Sequence, residues 1–324
     1  MDARPYSAYG HACSTNFEWS WCPRSSPHQS VDIRIELGSL GRFSAFRDSE
    51  YSPYRLRPAR DPAFPDSVRV DRGPDGHFRV TYADGAQFAI DAGASEIYGV
   101  ASGDLTLDDL VVYLQSPILG FVLRLRRVTC LHASAAASGG RAFAIVGDAG
   151  MGKSTSAAMF ARLGLDVLTD DLLALADGGT TFYAQPGLPR VLLWPDSVAS
   201  LFGTAEALPR IISTWDKRYL SLSLPGYRFA RAPAPLEAIY VLGERLDEGK
   251  PTEIRQLKGS EGLVQLLANT YANDFLTTEL RARELEVLAR LIAHVPVQLV
   301  RAPNAPAAVE TVCRALIADF QSLS

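Results

Sequence analysis

Gly147-Asp148-Ala149-Gly150-Met151-Gly152-Lys153-Ser154-Thr155 fill each fixed position of the phosphate-binding pattern G-x-x-x-x-G-K-[ST]. Glycines at those positions let the backbone wrap closely around phosphate oxygens. A helix opening at the lysine aims unpaired N–H groups at the anion, Lys153 adds a positive charge, and the Ser154 hydroxyl suits Mg²⁺. The chemistry this spells is the binding of a nucleoside triphosphate with its metal. Moving the terminal phosphoryl group also needs something to orient or deprotonate an acceptor. Asp170 and Asp171, at the end of an apolar run, are the candidates. Neighbouring residues on a strand point to opposite faces, so one aspartate would support the metal and the other would face the attacking hydroxyl. His132, in an apolar stretch just upstream of the loop, could sit near the phosphates or be purely structural. Lys217-Arg218 and Arg190 are weaker candidates for holding a phosphate or a substrate carboxylate, against surface basic residues.

The elements that must hold these residues can be read on either side of the loop. Ala142-Phe143-Ala144-Ile145-Val146 reads as a buried strand feeding the loop, and Ser156 to Leu163 reads as the helix leaving it. Val128 to Ala137 predicts a strand that turns at Gly139-Gly140 and pairs with the loop strand. Leu165-Asp166-Val167-Leu168-Thr169 predicts a short strand delivering the acidic pair. From Leu263 onward the pattern is largely helical, with apolar residues at Leu280, Leu288, Leu291 and Ile292 before Pro296.

Upstream, Val31 to Leu37 alternates apolar and charged residues as a half-buried strand does. Phe78–Tyr82 and Ala86–Ile90 flank Asp84-Gly85, a hairpin signal. Thr106 resembles an N-cap with Asp109 in the first turn, and Ser116-Pro117 restarts a second helix. Residues 1–30, rich in Ser, Pro and aromatics, read as a poorly ordered leader, 31–125 as a small α+β domain, and 126–324 as the catalytic domain. His11, Cys13, Cys22 and His28 match no standard zinc spacing.

The 324 residues are 47% hydrophobic and 21% charged, with a net charge of -4, as in an ordinary globular protein. There is no long run of like charge, so neither nucleic acid nor an anionic membrane surface is expected as a partner. No segment approaches the roughly 20 apolar residues of a membrane span. The first residues lack a secretory pattern. Cys13, Cys22, Cys130 and Cys313 are scattered, so a reduced, cytoplasmic protein is expected.

Taken together, Leu131-His132-Ala133-Ser134, the loop from Gly147 to Ser154, and Thr169-Asp170-Asp171 resemble the C-terminal catalytic domain of bacterial HPr kinase/phosphorylase. The order of histidine, hairpin, loop, helix, short strand and acidic pair is the same, and so is the short separation between loop and acidic pair. The resemblance covers roughly Leu125 to Gly203 well and the remainder loosely. It implies an α/β P-loop kinase fold related to phosphoenolpyruvate carboxykinase, preceded here by the small α+β domain. It also implies a serine kinase that uses ATP and Mg²⁺. Carried over, Lys153 contacts the β- and γ-phosphates and Ser154 ligates Mg²⁺. Asp170 supports the metal through water, Asp171 takes the hydroxyl proton, and His132 assists that carboxylate.

Two departures point to a branch of that family. The second glycine-rich signature, with its metal-binding glutamate, is replaced by Gln185-Pro186-Gly187-Leu188-Pro189-Arg190-Val191-Leu192-Leu193-Trp194-Pro195-Asp196, and Thr155 stands where the bifunctional enzymes carry glutamate. Both features look like the divergent HPr-kinase-like proteins of peptide-modification clusters, lasso-peptide kinases among them. The expectation is therefore a kinase acting on a serine of a peptide or small protein. The alternatives are a bifunctional HPr kinase/phosphorylase, a small-molecule kinase, and a non-catalytic nucleotide-binding module. Homo-oligomer formation stays open.

Overall fold

The computed structural model describes residues 4–26, 29–39, 50–57, 68–213 and 215–323. It is a mixed α/β structure that divides into two compact units, Met1–Val128 with Ala272–Thr277, and Thr129–Tyr271 with Thr278–Ser324.

The first unit is built on eight strands: β1 (Arg4–Ala8), β2 (His11–Thr15), β3 (Ile33–Leu37), β4 (Ser52–Arg57), β5 (Val68–Arg72), β6 (Phe78–Tyr82), β7 (Gln87–Ile90) and β8 (Glu96–Val100). They form one sheet in the order β1-β2-β3-β8-β7-β6-β5-β4. β2, β3 and β8 run parallel, and the other neighbours are antiparallel. The alternation seen in β3 is realised: Ile33, Ile35 and Leu37 are buried while Arg34 is exposed. The Asp84-Gly85 hairpin joins β6 to β7.

The reading of residues 1–30 as a poorly ordered leader is overturned for those described. β1 and β2 pair antiparallel, and the Tyr6 and Trp19 rings meet edge-on at 5.8 Å, both almost fully buried. That aromatic contact offsets the ordering entropy which a Ser- and Pro-rich composition resists. Cys13 and Cys22 are buried, no metal-holding group of His, Cys, Asp or Glu exists among the described residues, and His28 lies outside them.

After β8, Thr106 forms the expected capping box with Asp109 and opens α1 (Leu107–Tyr113). No new helix starts at Ser116-Pro117. A π-helical turn over Leu114–Ile118 carries the chain without interruption into α2 (Leu119–Leu125). A π turn tolerates Pro117 because its wider hydrogen-bond spacing removes the partner a proline would deny. The Phe121 ring packs edge-on against Phe78 at 5.3 Å, seating the helix on the sheet.

The second unit carries β9 (Thr129–Leu131), β10 (Ala133–Ser138), β11 (Arg141–Val146), α3 (Lys153–Arg162), β12 (Asp166–Thr169), β13 (Leu173–Asp177), β14 (Phe182–Ala184), β15 (Arg190–Leu193) and α4 (Pro195–Phe202). There follow β16 (Arg218–Ser221), β17 (Arg228–Phe229), β18 (Ala234–Leu242), β19 (Glu253–Gln256), α5 (Gly259–Ala268), α6 (Thr278–His294), β20 (Val297–Arg301) and α7 (Val309–Ser322). Ten strands form one sheet in the order β17-β12-β10-β11-β18-β14-β13-β9, with β20 on β18 and β19 on β20, while β15 and β16 pair separately. The sequence expected one strand from Val128 to Ala137. Instead the chain breaks at His132, with β9 pairing β13 and β10 pairing β11 and β12. β20 begins just after Pro296, where the helical pattern was expected to stop.

β11 explains why this sheet needs helices on both faces. Phe143 and Ile145 join one core with Phe160, Tyr240 and Phe320, whereas Ala142, Ala144 and Val146 join another with Leu288 and Leu291. A strand buried on both sides reads as a continuous apolar run. The Phe143 ring lies 4.9 Å from Phe320 and 5.1 Å from Phe160. α3 presents Ala157, Ala158 and Ala161 to the core, small residues that let the helix approach the sheet closely.

Candidate functional site

Strand direction gathers the candidate residues. β12 and β11 both run antiparallel to β10, so they share a direction, and β18 and β20 run parallel to β11. Four strands therefore end at the same edge, where α/β sheets bind ligands. β11 ends in the glycine-rich loop, and β12 ends at Asp170-Asp171. His132 precedes β10, whose first residue Ala133 pairs with Val146, so it lies at that edge as well.

The loop leaves β11 at Gly147, whose φ is +149°. A Cβ there would meet the Leu242 carbonyl oxygen at 3.0 Å, so only glycine fits between the two strand ends. Gly152 caps α3 in the left-handed region at φ +99°. The first N–H groups of a helix lack intrahelical partners, and those of Lys153, Ser154 and Thr155 hold that position in α3. Lys153 is buried. Its Nζ donates to the Gly147 carbonyl at 2.6 Å and the Asp148 carbonyl at 3.2 Å, bridging the loop. Burial pulls this ammonium below its ordinary value, while Asp171, Asp170 and Asp148 counter that and Lys217 adds to it.

The two aspartates occupy different surroundings. Asp170 is buried. Its Oδ1 accepts from the Ser134 hydroxyl at 2.7 Å and its Oδ2 from the Leu192 amide at 2.9 Å. Burial holds this carboxyl above the ordinary carboxylate value, with Asp171 adding to the effect and the Leu192, Ser134 and Ser154 donors opposing it. Asp171 sits at φ +73°, a strained conformation for a residue with a side chain. The turn is fixed by Thr169, whose hydroxyl donates to the Leu172 carbonyl at 2.6 Å. His132 Nδ1 lies 3.0 Å from the Asp171 carbonyl oxygen and 3.2 Å from its Oδ1, so one proton on Nδ1 serves both contacts.

A cavity of about 180 Å³ opens over the loop. Lys153, Ser154 and Thr155 line it from α3, and Asp171 and His132 line it from the strand edge. Trp194 and Lys217 complete the wall, facing each other because Leu193 pairs with Arg218 between β15 and β16. The Lys217 ammonium lies 5.3 Å from the Trp194 ring centre, a cation–π distance. Of the basic candidates, then, Lys217 reaches the cavity. Arg218 is buried and donates to the Ala205 carbonyl at 3.2 Å, Arg190 is buried in β15, and neither lines the cavity. Asp170 does not line it either.

Sequence reasoning missed Asn269 at the end of α5. Its Oδ1 accepts from the Gly147 amide at 2.8 Å, and its backbone carbonyl accepts from the His132 amide at 2.7 Å. The only local signal was that of a helix C-cap. It also missed Arg245, which donates to the Met151 carbonyl at 2.6 Å, and Ser197, whose hydroxyl lies 3.0 Å from that of Thr155.

No protein-family model matches this sequence, and no curated protein matches it. Among solved structures, the Hpr(Ser) kinase/phosphatase from Coxiella burnetii aligns over 59% of this chain and 98% of its own, with 15% sequence identity and a TM-score of 0.29. Similarity at that level carries no argument about chemistry, which rests on the site's own residues. Among the described residues, no helix is long and apolar enough to cross a membrane.

Proposed function

We propose that this chain is an ATP- and Mg²⁺-dependent kinase that phosphorylates a serine hydroxyl on a peptide or protein acceptor. The observation that carries the reading is the single cavity in which the loop lysine and serine face Asp171 and His132. A bare nucleotide-binding loop has no need of a strained aspartate held by a histidine.

The loop amides and Lys153 bind the triphosphate. Ser154 would ligate Mg²⁺ and Asp170 would support it through water, and their chemistry fits: a buried carboxylate with a raised proton affinity is stabilised by a nearby cation. Mg²⁺ is commonly bound through one or two carboxylates plus phosphates and waters. When bound, Mg²⁺ neutralises charge on the phosphate oxygens. Asp171 accepts the proton of the acceptor hydroxyl. His132 positions that carboxylate by donating from Nδ1, and Lys217 adds a second basic side chain to the cavity.

The test is transfer of labelled γ-phosphoryl from Mg·ATP to serine-containing peptides, with Asp171→Asn alongside. The variant is expected to bind ATP as the wild type does and to transfer about 10²–10⁴-fold more slowly, the usual weight of a general base. ATP binding without transfer to any serine acceptor would leave a nucleotide-binding module instead. The segment from Gln185 to Asp196 forms β15 and the start of α4 and lacks a glutamate. Little phosphate-driven release of pyrophosphate from a phosphoserine acceptor is therefore expected. Release as fast as forward transfer would favour the bifunctional alternative.

A further inference from the structure

A second cavity, of about 150 Å³, lies against the other flank of the loop, and the residues assigned above do not use it. It shares Gly150, Gly152 and Thr155 with the first cavity, so the two flank the same loop. Its remaining walls come from chain segments at the ends of the parallel strands β18 and β20, from the start of α7 and from Ser156 of α3. Ligands of α/β sheets lie outside the carboxyl ends of such strands. Leu242, Pro303, Ala305, Ala308, Val309 and Val312 put apolar side chains on those walls, while polar atoms make up nearly half of the exposed lining. Arg245 closes one side, its guanidinium tied to the Met151 carbonyl.

Resting on the reading of the loop as a nucleoside triphosphate site, we propose that this cavity seats the nucleobase and selects weakly between adenine and guanine. A triphosphate gripped by the loop amides leaves its nucleoside end beside the loop, and the apolar flank takes the base. Telling one purine from the other requires groups aimed at the base edge. Among the described residues lining the cavity there is no Asp, Glu, Asn or Gln; Thr155, Ser156 and Arg245 are its polar side chains. Apolar pockets discriminate by roughly 10²-fold at most, whereas a site built around substrate hydrogen bonds reaches about 10⁴–10⁵.

The experiment compares dissociation constants of the full chain for Mg·ATP, Mg·GTP and inorganic tripolyphosphate, in the wild type, Ala308→Trp and Ala305→Trp. Circular dichroism verifies the fold, and the two variants fill the cavity from separate positions. Wild type is expected to bind ATP and GTP within about tenfold of each other, and both more tightly than tripolyphosphate. At least one folded variant is expected to lose about tenfold or more in nucleotide affinity, or about 1.4 kcal/mol, with tripolyphosphate binding unchanged. Unchanged ATP affinity in both variants, or an equal loss for tripolyphosphate, would overturn the subsite while leaving the loop assignment standing. A preference beyond about 10³-fold for one purine would overturn the weak selectivity. If the wild type binds neither tripolyphosphate nor nucleotide, the loop assignment itself falls, and the subsite with it.

Discussion

The two large sheets each contain parallel strands whose ends lie side by side, and they finish those ends differently. In the first unit the ends of β2 and β3 are closed by Asn16, whose amide donates to the Leu37 carbonyl at 2.9 Å while its oxygen accepts from the Leu37 amide at 2.9 Å. Polar backbone there is satisfied by one side chain, and among the described residues no acidic pair or glycine-rich loop stands at those ends. In the second unit the corresponding ends run into a glycine-rich loop, an acidic pair and a histidine. Parallel strands create a place where groups converge; the residue types at the exits decide whether that place is sealed or reactive.

The largest effect expected from this contrast is at Lys153. Lys153→Ala should slow phosphoryl transfer by about 10³–10⁵-fold, the weight of a cation on a transferring phosphoryl group, and weaken nucleotide binding. Rapid-quench transfer assays and calorimetric titration check both, and near wild-type values would remove the loop from the chemistry. Within the framework of the same sheet, Phe143→Ala should lower stability by about 3–5 kcal/mol, since its ring is fully buried among Phe160, Tyr240 and Phe320. A denaturation midpoint that hardly moves would mean this core is not what holds the strand ends together.

Asn16→Ala sharpens the comparison from the other side. Loss of both partners for Leu37 should cost about 1–3 kcal/mol, with transfer and ATP binding unchanged. A large loss of activity would make the first sheet's sealed edge part of the catalytic apparatus. The smallest effect concerns Asp170. Its carboxyl is held above the ordinary value of 3.8 by burial, so the folded chain binds a proton that the unfolded chain has released. Stability from this group is full below 3.8 and is lost as pH rises through the raised folded value. Asp170→Asn, uncharged throughout, should flatten that decline in pH-dependent thermal melts; an unchanged slope would mean that the decline arises elsewhere.

Much of this was legible because it is local. The loop is contiguous, the apolar run of β11 announces burial on both faces, and the Thr106 cap and the Asp84-Gly85 hairpin are each written within a few residues. What escaped depends on partners distant in sequence. Arg4–Ala8 and His11–Thr15 are strands because Tyr6 meets Trp19 and a sheet accepts them, facts invisible in a Ser- and Pro-rich composition. The break at His132 exists because β9 and β10 have different partners. Lys217 reaches the cavity through the pairing of β15 with β16, not through any motif.

Asn269 ties two of these distant parts to one point. Its side chain is bonded to the Gly147 amide and its backbone to the His132 amide, and its Nδ2 donates to the Gln265 carbonyl at 2.8 Å. The phosphate loop and the histidine thus share one anchor at the end of α5, beside the separate contacts of Lys153 and Arg245 to the loop and of His132 to Asp171. A disturbance of that helix end would reach nucleotide grip and proton acceptance together, so affinity and turnover would fall as a correlated pair.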